Sequence, residues 1–170
     1  SLIDGSFDSK WYDPFESDYV MLRLELAEVE PVTRYELFTG TSHDRRDPVS
    51  WRFGLYRPEK DRNWKFDPYM VSFEMHSQVL DFEPPTERGV SYTFLCALCV
   101  DPGFSAIAPP SSPSPPPPSP ALGETYEFRF TKVRGPPQSA VQLSEVRFYG
   151  EDGAVLEVAS VSNPGGSRVN

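Results

Sequence analysis

The chain is poor in the residues on which most enzymes and metal-binding folds depend. Its 170 residues include only two cysteines and two histidines. A zinc site at Cys96 and Cys99 would therefore need two further ligands, with His43 and His76 as the available histidines. No Gly-x-Ser-x-Gly elbow, phosphate-binding glycine loop or His-Glu-x-x-His motif is present. The sequence therefore predicts no enzyme and no catalytic residues.

Positive charge and long apolar runs are also scarce. The chain has 16 Lys and Arg but 25 Asp and Glu, which gives a net charge of −9. Binding to nucleic acid or to anionic lipid needs basic patches, and spanning a bilayer needs about 20 apolar residues in a row. We therefore expect neither nucleic-acid binding nor membrane insertion. Because the chain begins at Ser1 without Met, we expect a processed product or a piece of a longer protein.

No segment keeps a helical period over three turns, and apolar residues alternate with polar ones instead. Val20, Leu22, Leu24 and Leu26 share one face, and residues 126–130 alternate in the same way. Alternation of this kind is typical of half-buried antiparallel strands. The predicted strands are 20–26, 32–40, 49–56, 71–76, 91–100, 126–131, 141–149 and 155–161. Roughly eight strands without helices predict an all-β, antiparallel β-sandwich.

Two of these strands carry specific expectations. In the strand at 71–76, Met75 falls on the apolar face and His76 on the polar face. In the last long strand, Val141 and Leu143 share a face, but the apolar series resumes one residue out of phase at Val146. This shift predicts a β-bulge at residues 144–145, which would re-aim Glu145.

A proline-rich insertion occupies residues 108–121. Proline at this density favours polyproline II and cannot donate ladder hydrogen bonds, so we expect a stiff, solvated segment outside the core. The run of Ser114 and four prolines resembles the glycosylation repeat of extensins and of algal wall or flagellar glycoproteins. That resemblance implies hydroxylated, O-glycosylated residues; an unmodified rigid loop is the alternative. The candidate glycosylation positions are Ser112, Ser114, Pro115, Pro116, Pro117, Pro118 and Ser119.

Cys96 and Cys99 lie three residues apart in an apolar run. In a regular strand their side chains would point to opposite faces, so a disulfide between them requires a bulge or turn. A pair of buried thiols and a metal or redox site are the alternatives.

Three segments resemble the discoidin-like domains, which are galactose-binding-like jelly rolls that include coagulation-factor C domains and many carbohydrate-binding modules. Residues 2–11 resemble the family's Asp-Gly…Thr-Lys-Trp loop, residues 46–53 its Arg-Asp-Pro-x-x-Trp turn, and residues 141–150 its closing strand. The resemblance implies an extracellular jelly-roll β-sandwich over residues 1–150, interrupted by the proline-rich insertion. Fold alone is weak evidence for function.

The resemblance also implies a structural calcium site. The family's Asp-Gly loop and closing-strand Glu correspond to Asp4 and Glu145, and Ser9 occupies the family's Thr position. Carboxylate, hydroxyl and carbonyl oxygens are the ligands that calcium prefers, and Asp8 is a further candidate. The alternative is that Asp4 only forms a turn.

The end of the chain matches the family out of order. Residues 158–166 resemble the strand and turn that precede the Asp-Gly loop in the family, yet here they follow the closing strand. We therefore expect residues 154–170 to complete the sandwich of the next copy in a head-to-tail array. The alternative is a tail that folds back on its own domain.

Aromatic side chains are candidates for stacking on sugar rings. Trp64, Tyr56 and Tyr12 are predicted to be exposed enough for this role, with Trp64 favoured because it lies in a charged turn. Trp11 and Trp51 occupy motif positions that are usually part of the core. We expect them to be buried.

Arg45 and Arg46 lie between Asp44 and Asp47. This pattern favours a salt-bridged turn over an anion-binding site.

These observations predict a non-enzymatic, extracellular structural module, the repeat unit of a glycosylated filament or cell-surface coat. Its partners would be copies of itself and covalent O-linked glycans. The alternative is a carbohydrate-binding adhesion module that binds a polysaccharide through loop aromatics.

Overall fold

The computed structural model describes residues 2–3, 5, 10–15, 18–57, 73–96, 124–136 and 140–164. These residues form nine β-strands and one short 3-10 helix, Asp44–Arg46. The strands are β1 (Trp11–Pro14), β2 (Val20–Leu26), β3 (Arg34–Thr39), β4 (Pro48–Tyr56), β5 (Phe73–Val79), β6 (Ser91–Leu95), β7 (Thr125–Val133), β8 (Ala140–Tyr149) and β9 (Val158–Ser162). No helix of the described part has the length and apolar character needed to cross a membrane.

The strands form two antiparallel sheets. The four-stranded sheet has the order β1-β8-β3-β6, and the five-stranded sheet has the order β5-β4-β7-β2-β9. The predicted all-β, antiparallel sandwich is therefore confirmed. Strand β1 was not predicted, because four residues are too few for an alternation to show.

The core lies between the sheets and is rich in aromatic rings. Val20, Leu22, Leu24 and Leu26 are buried from β2, as their alternation predicts. Around them, the Phe53 ring centroid lies 4.5 Å from that of Tyr35 and 4.6 Å from that of Phe128. Burying a large apolar side chain contributes roughly 1.5–3 kcal/mol.

Trp11 and Trp51 are both buried in this core, as expected from their motif positions. Because successive strand residues point to opposite faces of a sheet, the residue next to each inward-facing tryptophan faces outward. Tyr12 therefore faces outward from β1.

Strand irregularities re-aim several side chains. In the β3–β8 pair, Phe38 pairs with Glu145 and Thr39 with Leu143, so Ser144 is the extra residue. The bulge predicted at this point is confirmed, and the Ser144 hydroxyl donates to the Thr39 carbonyl at 2.8 Å.

The faces assigned to β5 from its sequence are wrong. The β4–β5 register shifts between Phe53 and Gly54. Met75 is consequently 49% exposed, while His76 is buried.

The sandwich has two ends, which matter for the placement of sites. The β3–β4 end holds the connection 40–47, where the Asp47 carbonyl accepts from the Arg134 amide at 3.0 Å. The β2–β3 end holds the connection 27–33, where the Thr33 carbonyl accepts from the Cys96 amide at 2.8 Å. Strand β8 runs from the first end to the second, since Leu143 pairs with Thr39 and Tyr149 with Arg34.

The C-terminal strand pairs within its own chain. In β9, Val161 pairs with Leu24 of β2, and β9 forms one edge of the five-stranded sheet. Strand β9 therefore lies on the sandwich of its own chain, and the expectation that residues 154–170 complete a neighbouring copy stays a prediction.

Several sequence predictions fall outside the described residues. They concern Asp4, Asp8, Ser9, Trp64, Cys99 and the insertion 108–121. Cys96 is buried and disulfide-bonded. Because Cys99 lies outside the described residues, its pairing with Cys96 stays a prediction.

Candidate functional site

An exposed aromatic ring marks the β3–β4 end of the sandwich. Tyr12 is 45% exposed and pairs across β1 and β8 with Gln142. The Arg46 guanidinium carbon lies 4.7 Å from the Tyr12 ring centroid. Arg46 Nη1 also donates to Gln142 Oε1 at 3.4 Å. The ring and the guanidinium are thus held beside each other on the outer face of the four-stranded sheet.

Gln142 leaves one donor of this site unused. Its side chain is almost fully buried, and Nε2 has no hydrogen-bond partner among the described residues. An unsatisfied buried donor costs about 1–3 kcal/mol, and a ligand could recover that loss only if the Gln142 side chain rotates to expose Nε2. Gly40 makes room for the amide, because a Cβ at residue 40 would lie 2.3 Å from Gln142 Nε2.

Further polar groups lie next to the ring. The Lys10 ammonium donates to Ser42 Oγ at 3.0 Å, and His43 Nδ1 lies 2.9 Å from the same oxygen. Lys10 comes two residues before Tyr12, on the same side of the chain. His43 has a φ of 59°, in the left-handed region that tight turns require. We call Lys10, Tyr12, Ser42, His43, Arg46 and Gln142 the Tyr12 cluster.

A buried ion pair supports the loop that carries half of this cluster. Asp47 is fully buried and accepts from Arg88 Nη1 and Nη2 at 2.5 and 2.9 Å. Arg88 Nη2 also donates to the Ser42 carbonyl at 3.3 Å. Burial raises the pKa of Asp47, and the hydrogen bonds from Arg88 oppose that rise. Through these bonds Arg88 connects the two ends of the 42–47 segment.

Residues 44–47 do not form the predicted salt bridges with one another. Asp44 and Asp47 lie 3.8 and 3.9 Å from the Arg134 guanidinium, and Asp47 is bound mainly by Arg88. Arg45 and Arg46 form no ion pair with a carboxylate of the described ranges. Neighbours in sequence are therefore not the ion-pair partners here.

Tyr56 lies at the other end of the molecule. The Arg23 guanidinium carbon is 3.5 Å from its ring centroid. The Nε atoms of Arg23 and Arg129 donate to Glu127 at 2.6 and 2.5 Å, and Glu127 is fully buried. Tyr56 thus covers a buried charge triad, and the structure does not bring it together with Tyr12.

Glu145 has one carboxylate oxygen without a hydrogen-bond partner in the described residues. Its side chain is buried, Oε1 accepts from Arg147 Nε at 2.5 Å, and Oε2 has no hydrogen-bond partner in the described parts. The Val146 amide donates to the Leu2 carbonyl at 3.0 Å, which brings the N-terminal segment beside Glu145. The described residues contain no group of three or more His, Cys, Asp or Glu suited to a metal ion.

No protein-family model and no curated protein matches the sequence. Solved structures do match. The F5/8 type C domain of a Bacteroides fragilis protein has a TM-score of 0.53 at 10% identity, covering 92% of this chain and 78% of that one. The fold is discoidin-like. The CpGH89CBM32-5 structure from Clostridium perfringens, in complex with GalNAc-β-1,3-galactose, has a TM-score of 0.53 at 8% identity, covering 92% of this chain and 80% of that one.

Sequence reasoning predicted the exposure of Tyr12 but did not predict the groups around it. The discoidin-like fold brings together Lys10 with Ser42, 32 residues apart, and Arg46 with Gln142, 96 residues apart. The only local indication was the alternation that makes Tyr12 and Gln142 outward-facing positions in strands with inward-facing apolar neighbours.

Proposed function

We propose that this chain is a non-catalytic carbohydrate-binding module whose binding site is the Tyr12 cluster. The observation that carries the proposal is an exposed aromatic ring beside a buried amide donor with no partner. Small-ligand sites typically combine apolar or aromatic surface with a few fixed polar groups. The Tyr12 ring supplies a surface for the C–H face of a sugar, and Gln142 and Arg46 supply donors for its oxygen atoms.

The structural neighbours favour this ligand class over a purely structural role. One of the two is a complex with GalNAc-β-1,3-galactose. At 8–10% identity the likeness establishes the fold alone, so the proposal depends on the side chains of this chain.

The proposal is tested by binding of the whole chain to a set of immobilised neutral and acidic glycans. Tyr12→Ala should weaken binding at least tenfold, since stacking and exclusion of water are both lost. Tyr56→Ala, at the opposite end, is the matched control and should leave binding unchanged. Circular dichroism checks that both variants fold. If Tyr56→Ala or Trp64→Ala abolishes binding while Tyr12→Ala does not, the site assignment is wrong.

A second proposal is that the module is a repeat unit of an extracellular filament or coat, joined by sharing of the terminal strand. It is supported by the position of β9 (Val158–Ser162), whose outer edge pairs with no strand in the described residues. Edge strands are templates for pairing with another chain. Analytical ultracentrifugation should show concentration-dependent self-association that is lost when residues 158–170 are removed. A monomer at all concentrations would exclude this assembly.

We also propose a structural calcium ion held by Glu145, Asp4 and Ser9. The buried Glu145 Oε2 without a partner supports it, as does the N-terminal segment beside that residue. Calcium at 100 times its Kd would stabilise the fold by about 2.7 kcal/mol. Thermal unfolding should therefore shift upward with calcium but not in EDTA, and Glu145→Gln should remove the shift. An unchanged midpoint refutes the site.

The covalent modifications are a further proposal. We propose O-linked glycans on Ser112, Ser114, Ser119 and hydroxylated Pro115–Pro118, and a disulfide between Cys96 and Cys99. Mass spectrometry of native material should show added hexose or pentose on the peptide spanning 108–122. Reduction should raise the mass of the cysteine-containing peptide by about two hydrogens. Unmodified serines and prolines would remove the glycan proposal.

A further inference from the structure

The cations in the Tyr12 cluster, and the adjacent Arg45, lack acidic partners among the described residues. Lys10, Arg45 and Arg46 form no ion pair with a carboxylate in the described part of the chain. In contrast, Arg88 and Arg134 at the same end of the sandwich are bonded to or close to Asp47. A protein of net charge −9 has many carboxylates with which to neutralise surface cations, yet no carboxylate of the described residues forms an ion pair with these three.

Three described carboxylates next to the cluster in sequence are already engaged. Asp47 is fully buried against Arg88, and Asp44 lies 3.8 Å from Arg134. Asp13, on the strand that carries Tyr12, is buried and directed away from the outer face of β1. Among the described residues, the charged side chain in contact with the Tyr12 ring is therefore Arg46, which has no carboxylate partner there.

Excess acidic charge lies at the opposite end. Glu28, Glu30, Asp152 and Glu157 line a cavity of about 300 Å³ at the β2–β3 end. From Gln142 to Tyr149, β8 spans roughly 23 Å at about 3.3 Å per residue. This length is several times the Debye length of about 8 Å at physiological ionic strength. A ligand at Tyr12 would therefore experience the local cations rather than the net charge.

The geometry of Arg46 suits an anionic group. Its guanidinium lies against the Tyr12 ring and Gln142 Oε1, which fixes its orientation without neutralising it. A fixed guanidinium binds carboxylates and sulfates through parallel N–H donors. The Lys10 ammonium, which donates to Ser42 Oγ, adds a second positive charge two residues before Tyr12 in the chain.

We infer that the ligand of this site is an acidic glycan, in which Tyr12 stacks on a sugar ring while Arg46 and Lys10 bind its carboxylate or sulfate group. The inference rests on the proposed function and names the ligand class of the same site.

The test is isothermal titration calorimetry of the whole chain with three probes: oligogalacturonate, a sulfated galactan oligosaccharide and a neutral galactan oligosaccharide. At least one acidic probe should bind roughly tenfold tighter than the neutral one, as expected for charge-assisted hydrogen bonds. Its affinity should fall as salt rises from 50 to 500 mM. The two acidic probes distinguish carboxylate from sulfate recognition.

Variants that remove one positive charge show which side chains cause the preference for the acidic probe. Arg46→Gln and Lys10→Gln should each lower the affinity for the acidic probe about tenfold and change the affinity for the neutral probe much less. Arg52→Gln is the matched control, because Arg52 is exposed on β4 of the other sheet and also forms no ion pair in the described residues. It changes the net charge equally and should leave all three affinities unchanged.

The outcomes separate the two proposals. Equal affinity for neutral and acidic probes, with equal effects of Arg46→Gln on both, overturns the inference and leaves the carbohydrate site intact. Loss of acidic binding in Arg52→Gln to the same extent as in Arg46→Gln also overturns it, since the attraction would then be unspecific. Absence of binding to any glycan refutes the proposed function itself.

Discussion

Replacement of Glu127 by Gln tests whether a buried charge triad stabilises the five-stranded sheet. Glu127 is fully buried on the outer face of that sheet and accepts from Arg23 Nε and Arg129 Nε. The side chains of Arg23 and Arg129 are only 18% and 7% exposed. Their guanidiniums lie over the rings of Tyr56 and Phe73, at 3.5 and 4.3 Å from the centroids. Gln keeps the size of the side chain but removes the only charge that compensates the two arginines within the triad.

Breaking a buried ion pair by removing one partner costs about 3–5 kcal/mol. Domains of this size unfold with about 5–15 kcal/mol, so the variant should lose a large part of its stability. At about 2–4 °C per kcal/mol, the midpoint of thermal unfolding should fall by roughly 6–20 °C. Urea denaturation, monitored by tryptophan fluorescence, gives the free energy of unfolding directly.

Two comparison variants make this measurement decisive. Asp81→Asn breaks the Lys132–Asp81 pair, whose side chains are 60% and 74% exposed, and should cost less than about 1 kcal/mol. A triple change of Arg23 and Arg129 to Met and Glu127 to Leu should recover most of the loss, since matched apolar replacements of buried ion pairs are often neutral. If Glu127→Gln costs no more than Asp81→Asn, the triad does not stabilise the sheet.

Other predictions concern the core and the β4–β5 pair. Tyr35→Phe removes the acceptor of the Trp51 Nε1 hydrogen bond at 3.0 Å and should cost about 1–3 kcal/mol in urea denaturation; no change would mean that the indole finds another partner. Gly54→Ala would place a Cβ 2.0 Å from the Glu74 carbonyl oxygen, so we expect a loss of about 1–3 kcal/mol and faster amide exchange in β5, with unchanged exchange as the contrary result. Burial lowers the pKa of His76 below its usual 6.5. As the pH falls, the unfolded state therefore binds a proton at this histidine before the folded state does. The free energy of unfolding is highest above about pH 6.5 and falls as the pH drops through that value. His76→Gln should flatten this dependence between pH 8 and pH 5, and an unaltered slope would assign it to other groups.

The parts of the fold that follow from sequence are those in which one strand face is buried throughout. The alternation in β2 correctly places Leu22 and Leu24 in the core. The one-residue shift in β8 correctly locates the bulge at Ser144, because an inserted residue changes the phase of the apolar series.

Other features depend on contacts that no local pattern contains. The face that Met75 presents is set by the register shift opposite Gly54, and a shift of one residue exchanges the two faces of a strand. The polar position of Glu127 in β7 predicts exposure, yet arginines and aromatic rings from other strands bury it. Likewise, the partner of Asp47 is Arg88, 41 residues away, rather than the adjacent Arg46.

The two described residues that flank the segment 97–123, Cys96 and Glu124, both lie at the end of the sandwich remote from Tyr12. The chain leaves the described body after Cys96, whose amide donates to the Thr33 carbonyl, and re-enters at Glu124, whose carbonyl accepts from the Leu26 amide. A bulky group attached at that end would therefore leave the Tyr12 ring and the nearby cations accessible. The proposed polymer site at Tyr12 is therefore remote from the two chain ends, Cys96 and Glu124, between which the proposed glycosylation positions lie in sequence.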